Sequence, residues 1–470
     1  MKLQRLALSS VLGMIALCLC DVASAKPGPA KPGPVNPVAK PDFSPMMRQT
    51  LKQFLQADAA FPTQNTPLHA PDLAFHEWAW QAYVWATALD QEGVPRFMRL
   101  PTEDDLLSAD PGRWTEYARP LKLGARSIVP VGAEGYTEGA GAFVEADGNI
   151  LIAPNGYPVY ASVHMNPSYL ATAKQNLIMD GGYTNQPADS SFDVGAAVFK
   201  ATWLRLDPGQ KPPRGAFTTL AQVPVLAEVQ MDGTNYIAPT TNFVPVPVAL
   251  VGLHVVGCTI NHPEFLWATF EHDLNSPQVR DNQFKTNQSS PRNYTFYTAH
   301  TSFANANLAA FPPQLTFDPE TQRFSPVNNV VLENKTGGES RTGEANITAV
   351  NLLGHLFLRS LNAGQAKFAN YNLIGTVWLG ANSYNTNSTQ INALGSVNLA
   401  NSTAETYEQY PVSTDKANVS NCFLCHNPQS YSTQAMVPST LPTRLIGLSH
   451  VLGIGTPYAV PNLISGPAAD

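Results

Sequence analysis

Near the C-terminal end, Asn421-Cys422-Phe423-Leu424-Cys425-His426 sets two thiols three positions apart, with an imidazole directly after the second. This spacing lets both thiols form thioethers with the vinyl groups of a haem while the adjoining imidazole ligates the iron. With five Cys and ten His in 470 residues, such a match arises by chance roughly once in a thousand chains of this composition. A Cys422–Cys425 disulfide, half of a zinc site and a thioredoxin-like redox pair are the competing chemistries. Zinc would need a second Cys/His pair nearby, and a redox pair would follow a strand in a βαβ unit. The surroundings here are a polar tail containing proline. The segment is therefore read as the attachment site of one covalently bound haem c, with Cys422 and Cys425 as anchors and His426 as iron ligand.

The other side of the iron decides the behaviour. A second axial Met or His closes the metal for electron transfer, whereas an open position admits small molecules. Met436 and His450 are the nearby candidates. Met436 precedes VPSTLPT, which suits a loop residue equally well, and His450 in LIGLSHVLGIG also suits a capping or core histidine. Only 44 residues follow His426, many of them Pro, Gly or Ser. That tail is short for the downstream methionine and closing helix of a small soluble cytochrome c, so the preceding domain is expected to complete the pocket.

A second group lies upstream. His254, His262, Glu271 and His272 fall within 19 residues, on a predicted strand (VALVGLHVVGCTI) and a predicted short helix (PEFLWATFEHDLN). Imidazole and carboxylate side by side can move protons near a haem or ligate a metal. We take His254, Glu271 and His272 as candidate proton-handling catalytic residues. The spacing matches no standard metal motif, and His262-Pro263 suits a turn. Cys258, on an apolar strand, is read as a buried inert thiol, and His355 as a core histidine. His300 is left unassigned.

These residues need a scaffold. DLAFHEWAWQAYVWATAL (Asp72–Leu89) has a capping Asp, no Gly or Pro, and tryptophans on more than one face, which predicts a buried helix. Phe143–Val163 carries Asp147-Gly148 and Asn155-Gly156 between short apolar runs and predicts a three-stranded meander. Val194–Leu206, Val223–Met231, Val246–Ile260 and Tyr294–Thr298 are rich in β-branched and aromatic residues and predict further strands. A helix is predicted at Ile347–Leu361 and a strand at Tyr371–Trp378, followed by a polar stretch, Asn382–Thr403. The expected fold is α+β and β-rich: a large, mainly antiparallel β domain with several helices over residues 46–410, and a haem-binding segment, 411–470, packed on it.

The N-terminal region predicts export. Lys2 and Arg5 precede an apolar run, Leu6–Leu19, and Ala23-Ser24-Ala25 supplies a small-residue cleavage pattern, so residues 1–25 read as a signal peptide. A lipid anchor on Cys18 or Cys20 is the rival reading, and Leu17 and Leu19 stand where small residues would be expected. Residues 26–45 repeat Lys-Pro-Gly-Pro and form a Pro-rich linker. No later segment is apolar enough for a transmembrane span. Loss of the leader moves the net charge from −7 to −8, which with the absence of a basic stripe argues against nucleic-acid partners. Charged residues make up 13% of the chain, against about 25% in ordinary soluble domains. The expected location is periplasmic or secreted.

The Cys-x-x-Cys-His motif resembles the haem attachment sequence of c-type cytochromes. The phrases HEWAWQAYVWATAL, VFKATWLRL, LHVVGCTINHPEFLWATFEHDLN, LIGTVW and NLANSTAETYEQ are similar to those of a group of exported bacterial proteins with one C-terminal haem motif. That resemblance spans most of the chain and implies a long single-haem architecture without assigning a reaction. Because a dedicated electron carrier needs far less chain around its haem, the expected function is that of a haem-c oxidoreductase acting on oxygen, peroxide or a small organic substrate. The alternative is an electron-transfer cytochrome whose six-coordinate haem serves a redox partner protein.

Overall fold

The structure is a computed structural model that describes residues 61–63, 72–107, 120–124, 129–131, 149–178, 181–187, 189–231, 234–280, 282–310, 314–380, 393–409, 421–426 and 444–453. Residues 1–25 and 26–45, read above as a signal peptide and a Pro-rich linker, the expected turn at Asp147-Gly148, and Met436 lie outside the described residues. Contacts divide the chain into Met1–Ala57 and Asp58–Asp470, and every element below belongs to the second unit.

In chain order these are α1 (Asp72–Thr87), α2 (Glu103–Leu106), β1 (Leu121–Lys122), β2 (Val129–Val131), β3 (Val159–Met165), α3 (Pro167–Gln175), β4 (Ala197–Arg205), β5 (Thr218–Met231), β6 (Thr234–Thr259), β7 (His262–His272), β8 (Thr316–Asp318), β9 (Arg323–Ser325), α4 (Arg341–Ser360), β10 (Tyr371–Leu379), β11 (Ala393–Gly395) and α5 (Cys422–Cys425). The fold is mixed α+β around one large, mostly antiparallel sheet. Its main order is β1-β5-β6-β7-β10-β11, with β3 and β4 joined to it through β6; only β1 and β5 pair in parallel.

Strand β6 is the spine. Over Ala249–Gly257 its backbone serves ladders on both sides, with β4 across one edge and β7 across the other for most of that length. Each residue there needs its N–H, and the run VALVGLHVVGCT contains no proline. Pro239, Pro245 and Pro247 all precede this run, in the part of β6 that forms a long hairpin with β5.

The two faces of the sheet are covered differently. On one face, α1 and α4 pack through aromatic rings: Phe75 stacks on Trp378 with centroids 3.9 Å apart, and Tyr83 stacks on Phe270 at 4.0 Å. Gly354 in α4 makes this approach possible, because a Cβ there would sit 2.2 Å from the Trp80 ring. On the other face, Val256, Cys258, Phe265, Trp267, Val377 and Leu379 form an apolar cluster with Tyr169, Phe423, Ile446 and Leu448. The C-terminal segments are thus built into the core.

Three sequence-based expectations change. PEFLWATFEHDLN is a strand, β7, and not a helix; ten of its eleven residues from His262 to His272 are buried, so the alternation that marks a one-sided strand is absent. Tyr294–Thr298 is a turn closed by a single bridge between Tyr294 and Tyr297. The Asn155-Gly156 turn is present, with Gly156 at φ +84°, but it closes only one bridge, Ile152 to Pro158, before β3. The polar run after β11 is drawn into the interior, with Asn398, Asn401, Ser402, Thr403 and Thr406 all buried.

Candidate functional site

Asn421 organises the Cys-x-x-Cys-His turn. Its side chain accepts from the Phe423 amide at 2.9 Å, capping α5, while its own amide donates to the Val397 carbonyl at 2.9 Å. Phe423 is fully buried and meets Trp267 edge-on at 5.9 Å. Driving that ring inward leaves Cys422 and His426 half-buried and Cys425 exposed. Neither cysteine forms a disulfide. Burial pushes the Cys422 thiol up, and the negative charge of Glu405 adds to the shift.

His426 is held at its inner nitrogen. Nδ1 lies 2.8 Å from the Leu448 carbonyl oxygen; a carbonyl only accepts, so Nδ1 carries the proton and Nε2 is the nitrogen able to ligate a metal. This is the outer-shell arrangement that fixes tautomer and orientation in metal-bound histidines. Leu448 is itself anchored. The Ile446 amide donates to the Ser190 carbonyl at 2.7 Å, Arg444 Nε donates to the Tyr183 carbonyl at 2.7 Å, and the Tyr169 hydroxyl bonds the Ser449 hydroxyl. The imidazole of His426 packs against Trp267 at 4.5 Å and stacks on His450 at 4.0 Å. His450 Nε2 donates to the Cys425 carbonyl at 3.1 Å, placing this ring on the flank of His426.

The donor set fits a covalently held haem: two thiols spanning one helical turn, an imidazole beside them with Nδ1 committed, and aromatic walls. Among the described residues there is no group of three or more His, Cys, Asp or Glu arranged to hold a metal ion, so no separate metal centre is assigned.

Along the same face of β7 lies a buried polar cluster. Glu271 is four residues beyond Trp267, or about 13 Å along the strand. It accepts from the Ser402 amide at 2.6 Å and from the Ser402 hydroxyl. Burial raises its pKa from 4.5 to about 7 against those hydrogen bonds. His254, on β6 opposite Thr269, bonds Glu405 at 2.9 Å. Burial pushes Glu405 up, but His254, Lys200 and the Asn401 amide hold it on balance below the usual carboxylate value. Asn401 donates to Thr269 at 2.7 Å, and Thr202 and Thr403 bond at 2.8 Å. The covering run, Asn401–Glu405, approaches this closely because β6 has Gly252 beneath it: a Cβ there would meet Thr202, Thr403 and Asn401 at 2.5, 2.8 and 2.9 Å.

The four expected partners are therefore divided. Successive strand residues point to opposite faces, so Glu271 lies with His254 under the polar run, while His272 lies on the helix side against Tyr371, ring centroids 5.2 Å apart. Burial lowers the His272 pKa to about 4. His262 is buried on Glu264 at 2.8 Å and edges Phe75. Cys258 is buried, as expected, whereas His355, expected in the core, is half-buried, its Nε2 donating to the Tyr371 carbonyl at 3.0 Å.

Glu405, Trp267 and the Leu448 carbonyl were not among the sequence candidates. Glu405 stands in a polar phrase with no metal or catalytic spacing, Trp267 was placed on a helix, and a backbone carbonyl carries no residue-type signal. Comparison with protein-family models, with curated proteins and with solved structures finds no match.

Proposed function

We propose that this chain is an exported single-haem c-type protein acting as an oxidoreductase on oxygen, peroxide or a small organic substrate. The observation that carries the reading is the His426 Nδ1–Leu448 hydrogen bond beside two thiols at thioether spacing that form no disulfide. A bound haem supplies one-electron chemistry at iron. Cys422 and Cys425 attach it, and His426 ligates through Nε2. Leu448 keeps that imidazole in one tautomer and in register, while His450 and Trp267 fix its rotation. His254, oriented by Glu405, holds a proton at Nε2, and Glu271, with its carboxyl brought near neutrality, exchanges one under Ser402.

The test is expression of the full chain with a c-haem maturation system, followed by a pyridine haemochrome assay and spectra of oxidised, reduced and carbon-monoxide-treated protein. Two thioether links and a rapid carbon monoxide complex support the oxidoreductase. A covalent haem inert to carbon monoxide assigns the protein to electron transfer with a partner protein. Absence of covalent haem in the exported, folded chain overturns the proposal.

A further inference from the structure

Trp267 is the side chain best placed to exchange electrons with whatever His426 ligates, and we infer that it is a redox-active residue of the haem site, oxidised to a π-radical cation during peroxide reduction. The inference rests on the functional reading above. Its ring is in van der Waals contact with the His426 imidazole, with centroids 4.5 Å apart and planes inclined by 38°. It is also 93% shielded from solvent, which protects a radical from quenching.

The surroundings distinguish Trp267 from the other aromatic residues nearby. Phe423, Phe265 and Phe192 are much harder to oxidise than an indole. Tyr169 and Tyr183 are also oxidisable rings of this cluster, but a phenol sheds its proton on oxidation: the Tyr169 hydroxyl meets the Ser449 hydroxyl, which is no base, and the Tyr183 ring lies under the Arg444 guanidinium at 5.5 Å, a positive charge that opposes its oxidation. An indole radical cation needs no base. Trp267 Nε1 donates to the Glu264 carbonyl at 3.2 Å, whose dipole presents its negative end to the charge that develops.

The electrons balance as follows. Reduction of one peroxide to two waters consumes two electrons and two protons. With a haem bound, the cofactor would supply one of these electrons and Trp267 the other; the protons would come from solvent, and two molecules of a small one-electron donor such as a phenol would restore Trp267 and the cofactor. No bond to the indole forms or breaks.

The experiment uses the haem-loaded full chain, mixed with one equivalent of hydrogen peroxide and frozen within milliseconds for electron paramagnetic resonance. The wild-type protein should give an organic radical whose spectrum narrows when the chain carries ring-deuterated tryptophan and is unchanged by ring-deuterated tyrosine. Trp267→Phe should lower that signal at least ten-fold with the haemochrome yield retained. Because the labelled wild-type chain reports independently, poor folding of the variant does not remove the test. A radical undiminished in Trp267→Phe, one narrowed by deuterated tyrosine, or no radical in a protein with intact haemochrome overturns this inference alone. A missing haemochrome overturns the functional reading beneath it.

Discussion

Glu271 is a carboxyl held out of water under Ser402, and its titration should be visible in stability. Its folded value is raised from 4.5 to about 7. Between those values the native chain holds a proton that the unfolded chain has released. Stability therefore falls as pH rises through this window and levels off above it, by up to about 3 kcal/mol from this residue. Glu271→Gln keeps an oxygen for Ser402 and removes the ionisation. Thermal melts should show the variant gaining a few degrees at pH 8 and nothing at pH 5; equal effects at both values would refute the assignment. His254 and Glu405 give the opposite kind of prediction. Their bond is short and largely buried, with side chains 13% and 23% exposed, so His254→Ala takes the partner from one oxygen of a buried carboxylate whose other oxygen keeps the Asn401 amide. A loss of about 3 kcal/mol in denaturant unfolding is expected, and Glu405→Gln in the same background should recover part of it.

Among the elements, β7 decides the arrangement of the site. Trp267, Thr269 and Glu271 face the C-terminal segments, whereas Phe270 and His272 face α1 and α4, and this two-residue period separates the adjacent Glu271 and His272. The pattern was hidden in the sequence because both faces are covered, leaving an apolar run that fits a short helix as well as a buried strand. β6 was legible from its β-branched residues, and α1 from its leading Asp72 and a run free of Gly and Pro. The close approach of the Asn401–Glu405 run to β6 is also an element-scale property. Gly252→Ala should push that run outward, lower the urea midpoint by the equivalent of about 1–3 kcal/mol, and speed amide exchange over residues 398–409 more than in α1 or α4. Exchange rising equally everywhere would show that the glycine serves the sheet and not the polar cover.

At the scale of the whole molecule, the C-terminal segment is held by its apolar side chains and not by its sulfurs. Phe423, Ile446, Leu448 and Leu452 belong to the cluster that includes Trp267 and Phe265. A Cys422→Ser, Cys425→Ser double variant should lose haem on acid–acetone extraction yet keep its far-ultraviolet circular dichroism; collapse of the spectrum would mean that attachment drives folding. No helix among the described residues is long and apolar enough to cross a membrane. What the sequence by itself determined is local: the spacing of two thiols and an imidazole along the backbone, the helix at α1, and the strand character of β4 to β6, all set by residues within a few positions of one another. Only the tertiary structure decided that Leu448 holds His426, that Trp267 touches it, and that Glu405 meets His254 from 151 residues away. Those contacts come from packing the C-terminal segments onto one face of a sheet, and burial on that face, rather than residue type or spacing, selects the partners.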